Sequence, residues 1–308
     1  MKELVVLFSG GTDSTCTAAL VAGDYERIHL VTYSRFGLFH MEHASTNVAL
    51  LRHRFGENRF IHTIIPVDRI FKEISYARYW RLLIKYGLFL LSTCGLCRLA
   101  MHVRTVVYCR AHGITRVCDW SNRHAAGGVS TDQIPSLIAG VRGLYARYGI
   151  EYSTPVYDLD EPANIGWADK LHVQTPQLRS VFAENTAHPD ARTSGKLLHE
   201  MGLFPQENIK GTKTDRRMQA RCLQLILSNI FIYGWYLSKH TPDQFFTTVG
   251  RFMGEKIDYC SLLLDNYFRD ESGSRLSKLV EQGNPASACT NKHGDCRGCL
   301  IKLVFPNH

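Results

Sequence analysis

A doubly wound, mostly parallel five-stranded α/β sheet is the fold class this sequence predicts. Three observations lead there. Apolar, β-branched runs recur through the first half, each is followed by a stretch of helical periodicity, and glycines or polar turns separate the two. Residues 4–8 open the series as an unbroken apolar run, which a strand covered on both faces requires. A small-residue loop and a helix over residues 15–21 follow. Residues 28–33 read as a second strand and 45–55 as a helix. Residues 60–67 are the third strand, with one helix over 69–85. Residues 99–112 are helical and closed by Gly113; residues 116–120 are the fourth strand. A helix over 134–148, closed by Gly149, leads to a fifth strand at 153–159 that tolerates Pro155.

After residue 160 the periodicity fades among Pro162, Pro176, Pro189 and Pro205, with one short helix at 194–201. Helices are expected again over 216–237 and 243–268, and the last thirty or so residues return to loop chemistry. The expected organisation is a first domain over residues 1–165, a loop-rich connection over 166–215 and a helical C-terminal region with a Cys-rich tail over 216–308.

Composition bounds the function. With 308 residues, 45% hydrophobic and 21% charged, the chain is neither disordered throughout nor a fibre nor a heptad coiled coil. The net charge of +8 suits a polyanionic partner such as RNA or nucleotide phosphates. No apolar leader opens the sequence, and the most apolar stretch, residues 79–101, is interrupted by Arg81, Lys85 and Arg98. A cytoplasmic protein without a membrane partner is expected. Its ten cysteines then read as thiols, metal ligands or catalytic sulfur rather than as disulfides. Oligomeric state is not legible.

Ser9-Gly10-Gly11-Thr12-Asp13-Ser14 joins the first strand to the first helix. A loop at a helix amino terminus presents unpaired N–H groups and the positive end of the helix dipole. Two glycines let the backbone approach a phosphate, and Ser9, Thr12 and Ser14 add hydroxyls. Asp13 would repel a bare phosphate, which implies Mg²⁺ between them. No G-x-x-x-x-G-K-[ST] is present, which disfavours γ-phosphoryl transfer. The hexapeptide in this setting resembles the PP-loop (N-type) ATP pyrophosphatases. The resemblance implies an adenine nucleotide alpha-hydrolase-like fold and a loop that holds the β,γ-pyrophosphate of ATP. A substrate carbonyl oxygen then attacks the α-phosphorus, and a nucleophile expels AMP. Tyr33, on the second strand, is counted with the loop residues in the nucleotide site.

Cys94-Gly95-Leu96-Cys97 stands just before the helix expected to begin near Arg98. Two thiols at this spacing can share a metal, form a local disulfide or pass sulfur, and a helix start lowers thiol pKa. They can also be small buried apolar residues. The run from Cys94 through Cys97, Arg98 and Arg104 to the strand before Asp119 is similar to the tRNA-thiolation branch of the PP-loop family. That branch implies a third, distant cysteine, for which Cys222 is the candidate. The three would hold a [4Fe–4S] cluster with one open iron, or else act as a persulfide carrier and its resolving thiol. Asp119-Trp120-Ser121-Asn122-Arg123-His124 stands where the family has Gly-His-x-x-Asp-Asp, so Asp119 or His124 would take part of that role.

Cys289, Cys296 and Cys299, with His293 or the terminal His308, could complete a tetrahedral Zn²⁺ site. This tail resembles the zinc-binding end of the 7-cyano-7-deazaguanine synthases, which use four cysteines. Residues 76–86 interleave rings and cations beside the Cys-x-x-Cys, as RNA contact requires. The same pattern also suits an amphipathic helix with Trp80 and Leu83 inward. Residues 208–217 are a second basic stretch.

The leading expectation is therefore adenylation of a nucleobase carbonyl followed by sulfur insertion, in tRNA or a free nucleotide, with a donor protein or sulfide supplying the sulfur. Nitrogen transfer with a structural zinc is the alternative, and an ATP-sensing or RNA-binding module is the third.

Overall fold

The computed structural model describes residues 1–87, 93–123, 131–160, 191–209, 212–218, 221–222, 232–270 and 272–281. Its centre is a five-stranded, all-parallel sheet built from β1 (Glu3–Leu7), β2 (Arg27–Ser34), β4 (Phe60–Pro66), β5 (Arg116–Cys118) and β6 (Glu151–Ser153). The strand order is β4-β2-β1-β5-β6. A second, two-stranded antiparallel sheet pairs β3 (Leu38–Phe39) with β7 (Arg221–Cys222), Leu38 standing opposite Cys222.

Strict alternation divides the strand side chains between two cores. Val5, Leu7, Val31 and Tyr33 face one side with α3 (Asp68–Tyr76), α4 (Tyr79–Tyr86), α5 (Thr93–His112) and α6 (Pro135–Arg147). Leu4, Val6, Ile28 and Leu30 face the other, with α1 (Thr12–Leu20), α2 (Ala44–Phe55) and α7 (Ser194–Glu200). The sheet is thus doubly wound. Short α8 (Lys213–Met218) closes the second layer through Met218. The long α9 (Pro242–Arg269) and α10 (Arg275–Glu281) join the first core through Phe245, Val249, Phe252, Leu264 and Leu276. A capping box of Thr241 and Gln244 starts α9.

Several elements differ from the sequence expectation. The fifth strand ends at Ser153, just before Thr154 and Pro155, and residues 154–158 turn instead. The helix expected over 69–85 is two helices, broken at Ala77-Arg78, where Arg78 has φ +55°. Leu82 and the partly buried Leu83 pack inward from α4, whereas Trp80, expected inward with Leu83, is 73% exposed. The helix carrying the Cys-x-x-Cys begins at Thr93, so both cysteines lie inside its first turns. The expected helix over 216–237 is not continuous. Its described parts are the end of α8, β7 and one π-helical turn at Ile232–Tyr236, because pairing with β3 draws residues 221–222 into extended form. No described helix is long and apolar enough to cross a membrane. His124, Cys289, His293, Cys296, Cys299 and His308 lie outside the described residues.

Candidate active site

Strand order reverses between β1 and β5, and crevices of this kind, outside the carboxyl ends of parallel strands, are where α/β sheets receive ligands. The loop after β1 is the Ser9–Ser14 hexapeptide, and Asp119 follows β5. Gly10 has φ +79°, and a Cβ there would stand 2.6 Å from the Cα of Ala44, so the loop and the start of α2 touch backbone to backbone. Gly11 caps α1 without a side-chain hydrogen bond. Ser9 Oγ accepts from the Gly11 N–H at 3.3 Å and donates to Ser14 Oγ at 3.1 Å. Ser14 Oγ donates to the Gly11 carbonyl at 3.0 Å. Thr12 opens the helix and Asp13 accepts from Ser194 Oγ at 2.6 Å. Asn47 fixes the loop from the α2 side, its Nδ2 donating to the Gly10 carbonyl at 2.6 Å. Its Oδ1 is buried without a hydrogen-bond partner among the described residues. Asn47 and Ser194 carried no sequence signal, since each reaches the loop only through tertiary packing.

Tyr33 sits apart from this loop. Its ring belongs to the core on the opposite face from α1, and its hydroxyl bonds Thr105 at 2.6 Å. Burial pushes that hydroxyl well above the usual phenol range. The nucleotide role expected of Tyr33 gives way to a packing role, because its side chain is 3% exposed.

The thiols converge. Arg35, the residue after β2, is 4% exposed. Its Nε donates to Cys97 Sγ at 2.8 Å and an Nη donates to Cys222 Sγ at 3.5 Å. Its guanidinium also lies over the Phe71 ring, 4.6 Å from the centroid. Cys94 is close enough for Cys222, Cys97, Asp132 and Arg35 to act on it electrostatically. Burial pushes the Cys94 thiol up, and it pushes Cys97 to about 11 despite the opposing pull of Arg35. The two thiols are therefore raised and not lowered as the sequence suggested, with burial the largest cause for each. Arg35 was missed in the sequence, where its one signal is a cation abutting the carboxyl end of a buried strand.

The donor set is all sulfur, which fits an iron–sulfur cluster. Three thiolates on one Zn²⁺ would stand about 3.8 Å apart, from bonds of about 2.3 Å. Among the described residues, the set of three ligating groups with donor atoms all within 4.8 Å of one another is a different one, His40, Glu42 and His43.

Asp119 is fully buried and both its oxygens are committed. Oδ1 accepts from the Ser121 N–H at 2.8 Å and from Ser121 Oγ at 2.7 Å; Oδ2 accepts from Arg98 and Tyr152. Arg98, one residue beyond Cys97, is 2% exposed and stacks over Trp120 at 5.3 Å. The Arg98 guanidinium holds the Asp119 carboxyl below its usual range against the cost of burial. Arg98 Nε donates to His102 Nε2 at 3.3 Å, and burial lowers His102 to about 3, so this imidazole is neutral. The network ties the first turns of α5 to the end of β5, and Asp119 is placed to hold the thiol-bearing helix rather than to meet a substrate.

No protein-family model matches the sequence, and no curated sequence matches it. Among solved structures, the chain is similar to a predicted subunit of tRNA methyltransferase from Methanocaldococcus jannaschii DSM, at 20% identity and a TM-score of 0.34, covering 72% of this chain and 97% of that one. It is also similar to a 4-thiouridine synthetase in complex with RNA and bound ATP, at 15% identity and a TM-score of 0.40. There the alignment covers 82% of this chain and 53% of the other, about half its length.

Proposed function

We propose that this chain is an ATP-consuming enzyme of the PP-loop kind, which adenylates a nucleobase carbonyl in tRNA or in a free nucleotide and replaces the oxygen with sulfur. The observation that carries this reading is the meeting of Cys94, Cys97 and Cys222 around Arg35, at the carboxyl end of β2, beside the loop that follows β1.

In this reading the amide groups of the loop and the hydroxyls of Ser9 and Thr12 hold the β,γ-pyrophosphate of ATP, while Ser14, fully buried with its hydroxyl donating to the Gly11 carbonyl, shapes the loop instead of meeting the phosphates. Asp13 is the residue that would hold Mg²⁺, which supplies charge neutralisation at the leaving pyrophosphate. The substrate oxygen attacks the α-phosphorus, pyrophosphate departs, and the adenylated carbon becomes electrophilic because AMP leaves more readily than oxide. In the dithiol version, one cysteine of the Arg35 group carries a persulfide whose terminal sulfur bonds to that carbon, expelling AMP. A second cysteine attacks the carrier's own sulfur, which leaves a protein disulfide and the thiolated base; an external dithiol resets the pair. Arg35 faces sulfur anion at both stages, donating through Nε and Nη. In the cluster version, Cys94, Cys97 and Cys222 would ligate a [4Fe–4S] group that supplies an open iron to carry sulfide. Asp119 and Arg98 keep the α5 amino terminus in place in either version.

The test combines three measurements on anaerobically purified protein: metal and acid-labile sulfide content, pyrophosphate release across candidate tRNAs and nucleotides, and sulfur incorporation. Cys97→Ala should abolish sulfur incorporation while leaving ATP binding intact. A Cys97→Ala protein that still thiolates would overturn the reading. Zinc without iron would favour either the dithiol version or nitrogen transfer, and the sulfur assay separates those two.

A further inference from the structure

The short segment between β3 and α2 carries a second cluster of ligating side chains, which the proposed reaction does not use. His40, Glu42 and His43 each offer one donor atom, and the three atoms all lie within 4.8 Å of one another. His40 Nδ1 stands 3.5 Å from Glu42 Oε1. The His40 and His43 rings are stacked, with centroids 4.9 Å apart and planes 9° from parallel.

Two further features set this loop apart from an ordinary polar turn. His40 adopts φ +64°, a left-handed conformation that costs a residue with a Cβ about 1–2 kcal/mol unless something repays it. It is this turn that carries the His40 ring back over His43. His43 Nδ1 is buried and has no hydrogen-bond partner among the described residues. Buried nitrogens of this kind are normally satisfied, and an ion is one of the things that satisfies them.

We propose that His40, Glu42 and His43 form a binding site for a divalent transition metal of the Zn²⁺ class. Two imidazoles and one carboxylate are a donor set for Zn²⁺, Co²⁺ or Fe²⁺ rather than for Mg²⁺ or Ca²⁺, which take oxygen ligands. In a tetrahedral shell with bonds of about 2.1 Å, donor atoms stand about 3.4 Å apart. The observed spread therefore closes with a small movement, and Glu42 is free to supply it, since its side chain is 73% exposed. Three protein ligands leave the fourth position for water or for an oxygen of a bound molecule. The site is on the rim of the phosphate loop: Ala44 follows His43 directly, and its backbone is what a Cβ at Gly10 would strike. Phosphate oxygens held by that loop are the natural candidates for the open position. The site rests on the histidine geometry and stands whether or not the chain transfers sulfur.

Equilibrium dialysis of the full chain against Co²⁺, with bound metal counted per chain, tests the site. Total stoichiometry is compared, so metal held by thiols cancels between variants. Wild-type protein should hold one equivalent more than the His40→Ala, His43→Ala double variant. Glu42→Gln should weaken that equivalent by about tenfold or more. Circular dichroism checks that the double variant folds, and the exposed Glu42→Gln substitution gives the reading on its own if it does not. Equal stoichiometry in wild type and a folded double variant, or an unchanged affinity in Glu42→Gln, would overturn the proposal.

Discussion

Gly10→Ala is the substitution most directed at the phosphate loop. Gly10 has φ +79°, where an alanine costs about 1–2 kcal/mol. Its Cβ would stand 2.6 Å from Ala44 Cα and 2.9 Å from Ala44 Cβ. Carbon atoms prefer about 3.5–4.0 Å, so the loop and the start of α2 must part by about 1 Å. Ala44 is 1% exposed and packed in the second core, so it cannot retreat without disturbing neighbours. Overpacking of this sort costs about 1–3 kcal/mol. Together the two effects amount to roughly 2–5 kcal/mol, a fall in Tm of roughly 3–8 °C for a chain of 308 residues. The same displacement lengthens the bond from Asn47 Nδ2 to the Gly10 carbonyl and moves the amides of the loop. ATP affinity should therefore fall by about tenfold or more. Thermal melting and titration with ATP and Mg²⁺ give the two readings. Gly143→Ala is the control: this glycine lies inside α6, is exposed, and a Cβ there meets nothing within 4 Å. That change should stabilise by about 0.5–1 kcal/mol. A Gly10→Ala protein that melts with the wild type and binds ATP as well would refute the close approach and the role given to the loop.

Arg35→Met should leave ATP binding within about twofold of wild type and lower sulfur incorporation by about tenfold or more, because it removes the cation shared by Cys97 and Cys222. Binding and transfer assays on one preparation separate the two, and equal transfer would count against the thiol group. Lys256 is 1% exposed and donates to the carbonyls of Ile74, Ser75 and Ala77 at the end of α3. Burial lowers it to about 8, yet three carbonyl acceptors match the three donors of an ammonium, and those bonds favour the charged form. Lys256→Met leaves them without their donor and should cost about 2–4 kcal/mol in denaturant unfolding. Acid should destabilise the fold through His102. Its folded pKa of about 3 lies below the ordinary 6.5, so its contribution is complete above 6.5 and is lost as pH falls from there towards 3. At pH 5 the loss is about 2 kcal/mol relative to neutral pH. His102→Asn should flatten that dependence between pH 7 and pH 5 in urea titrations; an unchanged slope would mean the imidazole is not held neutral.

The parts of this architecture that were legible are those where one local pattern is enough. β1 is an unbroken apolar run over residues 4–8 because it lies inside the sheet with both faces covered; β2 and the edge strand β4 were legible from their β-branched and aromatic content although His29, Thr32, His62 and Thr63 interrupt them. The turn at Gly10 was legible because paired glycines between a strand and a helix have few other uses. Nothing local marks the break at Ala77-Arg78, which has neither glycine nor proline; the Lys256 ammonium, reaching from a helix far along the chain, binds the carbonyls of Ile74, Ser75 and Ala77 where α3 ends. The meeting of the thiols follows the same logic. Spacing pairs Cys94 with Cys97 within one helix, but Cys222 arrives only because residues 221–222 pair with the two-residue β3, and two residues carry no periodicity. Arg35 and Cys222, whose side chains touch, are 187 positions apart. A sequence pattern can nominate residue types at such distances, whereas their assembly is a property of chain topology: adjacent parallel strands deliver their following loops to one edge of the sheet, and what those loops carry is brought together there. Residues such as Arg35 just after β2, Asn47 in the first turn of α2 and Ser194 at the start of α7, whose polar atoms meet the thiols or the phosphate loop, are therefore where unread chemistry in a fold of this kind accumulates.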